Sequence, residues 1–134
     1  MRPPEEVKLD LVSQWLNKAE DDYLVCQHLI SAKGLFLSAI GFHAQQAAEK
    51  YLKAYLVERQ IDFPKTHNLG ILLDLIALAD PNLAACLNGT TALNPYGVDF
   101  RYPGDFPVIS IDDARKALDL AGQVREAIKS VLKS

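Results

Sequence analysis

Two of the three histidines in this 134-residue chain stand beside the residue types that phosphate chemistry uses. His43, Gln46, Glu49, Lys50 and Lys53 are spaced three or four apart, so at 100° per residue they form one polar stripe on a helix. Lys50 and Lys53 lie one turn apart and can hold a phosphate between them, unless Glu49 and Glu20 neutralise them as surface ion pairs. His43 in that stripe is otherwise a partly exposed histidine without a role. His67 follows Pro64 at the start of a further helical pattern, where the helix dipole favours a neutral ring. Such a ring beside helix-terminus amides suits an anion or a proton-transfer step; the plainer reading is that it orders the connector. Arg101 and Tyr102 lie in a proline-bracketed stretch. A guanidinium there can fork onto phosphate while the ring stacks on a base, or the pair can simply pin the loop to the rest of the protein.

Other chemistries find no support. GxxxxGK[ST], GxGxxG, HExxH and GxSxG are absent, so phosphate-cradling loops and the familiar hydrolase sites are not indicated. Glu-x-x-His, the di-iron bundle signature, is missing as well. Asp21-Asp22 and Asp112-Asp113 read as solvated or dipole-favourable carboxylates, and no metal site or cofactor is expected. A net charge of −3 argues against wrapping duplex nucleic acid through a broad basic surface, while leaving room for a small local anion site. Cys26 and Cys86 both fall in apolar helical stretches without metal-binding spacing, so two buried, reduced thiols are expected. Arg2-Pro3-Pro4-Glu5-Glu6 lacks the apolar core of a signal peptide, and no run approaches a membrane span. A cytoplasmic location is the expectation.

The elements that must position these residues read as helices. Apolar residues make up 49% of the chain, and residues 1–134 suit one domain. Pro3-Pro4 with Glu5 and Glu6 opens a first helix; Val12, Trp15, Leu16, Ala19, Tyr23, Cys26 and Ile30 recur at helical spacing until Gly34 closes it. A second helix runs from about Leu35 to Gln60, with Leu37, Ile40, Ala44, Ala47, Ala48, Tyr51 and Tyr55 facing the core and the polar stripe opposite. Pro64 breaks the chain at Phe63. Thr66 or Asn68 caps a third helix, carrying Leu69, Leu72, Leu73 and Ile76. Asp80-Pro81 opens a short fourth that Gly89-Thr90-Thr91 interrupts. Residues 95–110 form one substantial loop, with three prolines, two glycines and four aromatics. Ser110 to Asp113 forms a capping-box start for a last helix lined by Ala114, Ala117, Leu118, Ala121, Val124, Ile128 and Val131. The result is an all-α, antiparallel up-and-down bundle of about five helices. The apolar surface of its long first helix could serve a symmetric homodimer.

Phe42-His43-Ala44-Gln45-Gln46-Ala47-Ala48-Glu49-Lys50, Leu52-Lys53-Ala54, Pro64-Lys65-Thr66-His67-Asn68-Leu69 and Arg101-Tyr102-Pro103 together resemble the HEPN domain (higher eukaryotes and prokaryotes nucleotide-binding). The resemblance spans nearly the whole chain and implies a dimeric helical bundle. It also implies a minimal nucleotidyltransferase partner, often in a toxin–antitoxin or defence pair. Many members are metal-independent ribonucleases with an Arg and a His four to six residues apart on one helix. Here Arg59 and His67 have seven residues between them, and Pro64 interrupts the helix. The carried-over constellation is therefore that of non-nuclease members: Gln46, Glu49, Lys50, Lys53, His67, Arg101 and Tyr102.

The leading expectation is a protein that binds a nucleotide or nucleic-acid phosphate and works with that partner. Gln46, Lys50, Lys53, Arg101 and Tyr102 would bind, and His67 would hydrogen-bond or move a proton. Binding is favoured over catalysis. The first alternative is a ribonuclease toxin with His67 as general base and Arg101 or Arg59 stabilising charge. The second is a pure interaction module with an ordinary polar surface.

Overall fold

The computed structural model describes residues 4–97 and 109–132. Five α-helices, α1 (Pro4–Ile30), α2 (Leu37–Glu58), α3 (Leu69–Ala79), α4 (Pro81–Cys86) and α5 (Ile111–Val131), are joined by a 3-10 helix at Asn88–Gly97. No strand occurs among the described residues, and none of their helices is long and apolar enough to cross a membrane.

The caps follow from local chemistry. Asn68 accepts from the Gly70 amide and starts α3; Asp80 accepts from Leu83 and starts α4 with Pro81 behind it. Ser110 and Asp113 form the reciprocal capping box of α5. Two ends differ from expectation. α1 stops at Ile30, before Gly34, because Lys33 (φ 55°) and Gly34 (φ 94°) both turn left-handed. α2 is shorter than Leu35 to Gln60, since Phe36 (φ 60°) and Gln60 (φ 59°) are left-handed at its two ends. The start of the expected 95–110 loop is also more regular than its prolines imply, because the 3-10 helix carries Pro95 and reaches Gly97.

Cys26 meets Ile40, Asp22 meets His43 and Glu20 meets Tyr51, so α1 and α2 are antiparallel. Glu20 also meets Arg125, and the Gly122 backbone faces the Tyr23 hydroxyl, so α5 is antiparallel to α1 as well. α2 and α5 therefore point the same way, with α3, α4 and the 3-10 helix returning the chain between them.

α2 lies at the centre of this bundle, which corrects the sequence reading of its polar stripe. Its expected core residues Ile40, Ala44, Ala47, Ala48, Tyr51 and Tyr55 are buried, but so are Gln45, Glu49 and Lys53 on the other side. Glu49 and Lys53 of the stripe face the connector before α3 and Trp15 of α1 instead of solvent, while His43, Gln46 and Lys50 stay partly exposed. Asp22, expected to be solvated, is buried too. Cys26 is buried, but Cys86 is exposed at the end of α4, because six residues of helix present only Leu83 to the core.

Candidate functional site

Two carboxylates organise the polar side of α2. Asp22, from α1, divides its oxygens: Oδ1 accepts from Nδ1 of His43 at 2.8 Å, and Oδ2 accepts from Nζ of Lys50 at 2.6 Å. His43 and Lys50 are seven residues apart, two turns of one helix face, so a single α1 carboxylate spans both. Phe42 packs its ring edge-on against His43.

Glu49 forms the second centre. Its Oε1 accepts from Nδ1 of His67 at 2.8 Å and from Nε2 of Gln45 at 3.2 Å, and its Oε2 accepts from Nζ of Lys53 at 3.0 Å. Gln45 also donates to the His67 carbonyl at 3.0 Å and accepts from Gln46 at 2.8 Å. His67 is thus held by both ring and backbone. Burying Glu49, only 3% exposed, costs several kcal/mol of desolvation, and only this set of donors offsets it. Gln45, Glu49 and Lys53 fall at i, i+4 and i+8, one straight line along the helix.

Lys53 fills an aromatic corner, its Nζ 5.4 Å from the Trp15 ring centre and 5.7 Å from that of Phe63, at cation–π range. The two rings meet edge to face with centroids 6.3 Å apart, so Lys53 ties α1 and the connector to α2.

The 3-10 helix closes over this network. Gly97 lies so near Gln45 that a Cβ there would stand 2.3 Å from Gln45 Cδ, and a Cβ on Gly41 would meet the Tyr96 ring at 3.0 Å. Absence of a side chain at both positions permits the approach. Leu69 donates its amide to the Asn94 side chain at 2.8 Å, which also fixes the lead of α3.

On the far side of α2, Glu20 accepts from Arg125 and Tyr51 and pairs with Lys129 at 3.0 Å. Burial pushes the Glu20 carboxyl up, but hydrogen bonds from Arg125, Tyr51 and Lys129 outweigh it and bring the group down to about 2. Burial, then the hydrogen bond the phenol donates to Glu20 and the negative charge of that carboxylate, push the Tyr51 phenol strongly up.

The residues singled out from sequence thus separate. His43, Gln46 and Lys50 line one edge of α2, and His67, its side chain 71% exposed, is linked to Gln46 through Gln45. Lys53 does not share an open surface with Lys50: it is 6% exposed and turned toward Glu49. Arg101 and Tyr102 lie outside the described residues; the flanks of their segment pack on α2, Gly97 at Gln45 and Ile109 at Gly41. Asp22, Gln45, Trp15 and Phe63 were not singled out. The i, i+4, i+8 line of Gln45, Glu49 and Lys53 was the available signal for Gln45; nothing local marks Asp22 over its neighbour Asp21. Among the described residues no three His, Cys, Asp or Glu side chains gather as a metal site.

Fold and site together define a small helical-bundle domain whose polar face is held from within by two buried carboxylates. The profile of the HEPN domain matches residues 12–131, and the chain belongs to that family. The crystal structure of an archaeal HEPN homologue is similar in fold, with a TM-score of 0.67 and 20% identity over 91% of this chain and 98% of that one. Comparison with curated proteins gives no match. Membership supports a nucleotide- or RNA-related function in general.

Proposed function

We propose that this chain binds a nucleotide or a nucleic-acid phosphate at the edge of α2, as a homodimer working with a minimal nucleotidyltransferase. The observation that carries the binding site is the set of nitrogen-bearing side chains His43, Gln46, Lys50 and His67, from α2 and the α3 lead, each fixed by Asp22, Glu49 or Gln45. Side chains already held in place lose little entropy on binding. Lys50 is the accessible lysine; Lys53 acts by holding Glu49. The dimer and partner rest on family resemblance, and Arg101 and Tyr102 on their chemistry in the sequence.

Local charge sets the expected strength. With neutral imidazoles, Asp22 cancels Lys50 and Glu49 cancels Lys53, so each cluster sums to zero. Protonation of either histidine leaves its cluster at +1, and phosphate binding should strengthen accordingly. Titration calorimetry with ATP, GTP and short RNA at low salt tests this reading, and no heat of binding from any of the three refutes it. Sedimentation, alone and with the nucleotidyltransferase, tests the assembly.

One observation favours the ribonuclease alternative. A histidine backed by a buried carboxylate at Nδ1, with Nε2 free of hydrogen bonds among the described residues, has the arrangement of an oriented general base. Incubation with single-stranded RNA without metal, followed by fragment analysis, decides it: intact RNA excludes cleavage.

A further inference from the structure

Phe42 is a large apolar side chain that the core does not use. Tyr23, Tyr51, Tyr55, Phe63 and Tyr96 belong to the hydrophobic core or pack against it, whereas Phe36 and Phe42 do neither. Phe36 is the left-handed N-cap of α2. Phe42 lies inside that helix, one residue after the buried Gly41, and is 40% exposed. Leaving a phenyl ring in water there forgoes the stabilisation that burial would give. Its ring contact is with His43, centroids 5.3 Å apart and planes at 81°, and such a T-shaped contact covers at most one of the two phenyl faces. His43 is held in turn by Asp22, which accepts from its Nδ1 at 2.8 Å, so the ring that Phe42 rests on does not turn freely.

The residues in line with Phe42 give the exposed ring a use. Phe42, Gln46 and Lys50 fall at i, i+4 and i+8, one row along α2. With a rise of about 1.5 Å per residue, Gln46 is about 6 Å and Lys50 about 12 Å along the axis from the ring. The base and the 5′-phosphate of a nucleotide are separated by a similar span. Resting on the binding reading above, we infer that Phe42 is the face on which the nucleobase stacks while Gln46, Lys50 and His43 hold the phosphate. A phenyl ring has no donor or acceptor with which to read a base edge, so every base is accepted and stacking strength alone ranks them. Purine nucleotides, with the larger ring face, should lead pyrimidine nucleotides. The ring offers nothing to a bare phosphate, which separates this inference from the reading it rests on.

NMR titration of the unaltered protein with AMP and with ribose 5-phosphate isolates the base, because sugar and phosphate are common to both. AMP should bind about five- to thirtyfold more tightly, the lower half of the range for a base on an aromatic side chain, since this ring is partly open to water. The adenine H2 and H8 resonances should move upfield on binding, as protons over an aromatic face do. Phe42→Leu should lower AMP to the affinity of ribose 5-phosphate, leave ribose 5-phosphate unchanged and abolish the upfield shift. Phe42→Trp should retain both the preference and the shift. Leucine keeps an apolar side chain at a position outside the core, so the fold is retained, and unchanged ribose 5-phosphate binding shows the phosphate-holding groups intact. A preference for AMP that survives Phe42→Leu overturns the assignment of the base to this ring. Equal weakening of both ligands in that variant makes Phe42 a structural support and overturns it as well. Equal binding of AMP and ribose 5-phosphate by the unaltered protein overturns stacking and leaves the phosphate reading standing. Failure of both to bind overturns the two together.

Discussion

Asp22 on α1 holds Lys50 on α2 at 2.6 Å while its other oxygen holds His43 at 2.8 Å. One carboxylate therefore sets two of the proposed ligand-facing groups and ties the longest helices together. Asp22→Ala would leave the Lys50 ammonium, 20% exposed, without its counter-ion. The loss should be about 2–3 kcal/mol, below the figure for a fully buried broken pair because water reaches this one. Asp21→Ala, one residue away on the exposed side, should stay within about 0.5 kcal/mol. Urea unfolding of the two variants measures the difference. Equal midpoints would show that the shared carboxylate contributes nothing.

Gly97 and Gly34 separate two reasons for needing glycine. A Cβ on Gly97 would overlap the Gln45 amide, which cannot swing away without releasing Glu49, His67 and Gln46. Gly97→Ala should cost about 1–3 kcal/mol as overpacking, and it should shift the His67 ring resonances. Gly34 has open space around it but a φ of 94°, so Gly34→Ala should cost about 1–2 kcal/mol of backbone strain and leave His67 untouched. A His67 spectrum identical in both variants would break the proposed link between the 3-10 helix and the ring.

Much of this arrangement was legible in the sequence. Asn68, Asp80-Pro81 and Ser110 are short-range signals whose geometry depends on residues two or three away, and each caps the helix it was expected to cap. The apolar side of α5 follows the same logic. What local pattern could not supply was which helix lies at the centre. The stripe of α2 has the period of a surface face, and only the placement of Asp22 and His67 against it turns Glu49 and Lys53 inward. The 3-10 helix was missed for a related reason. Gly89, Thr90, Thr91 and Pro95 mark breaks in α-helix, but Thr90, Leu93 and Gly97 are buried against the bundle, so tertiary contacts sustain a tighter turn that propensity would not. Cys86 went wrong because apolar neighbours in a six-residue helix do not guarantee a buried side.

The two cysteines should differ sharply toward a thiol reagent. Cys86 is exposed, whereas Cys26 is fully buried and donates to the Ile40 carbonyl at 3.3 Å. Burial, and then the negative charge of Asp22, pushes the Cys26 thiol up to about 12, so almost no reactive thiolate exists near neutrality. An aromatic disulfide reagent should label one thiol per folded chain quickly and the second only in denaturant. Two thiols reacting at one rate would show that the α1–α2 interface opens freely around Cys26.

Acid should act through Glu20. Its carboxyl is lowered from 4.5 to about 2 because the hydrogen bonds of Arg125, Tyr51 and Lys129 outweigh the upward push of burial. A group depressed on folding binds its proton more readily in the unfolded chain, so its contribution is complete above about 4.5 and is lost as pH falls toward about 2. Glu20→Gln should therefore be less stable than the unaltered chain near neutrality, and the gap should narrow steadily through that window. Tyr51→Phe removes one donor without removing the charge; it should cost about 1 kcal/mol and leave most of the acid dependence in place, since Arg125 and Lys129 still pair with the carboxylate. Thermal unfolding of the three proteins from pH 7 to pH 2 reads both effects. Parallel pH profiles for Glu20→Gln and the unaltered chain would place the acid sensitivity elsewhere, and the α1–α5 contact would then owe little to this cluster.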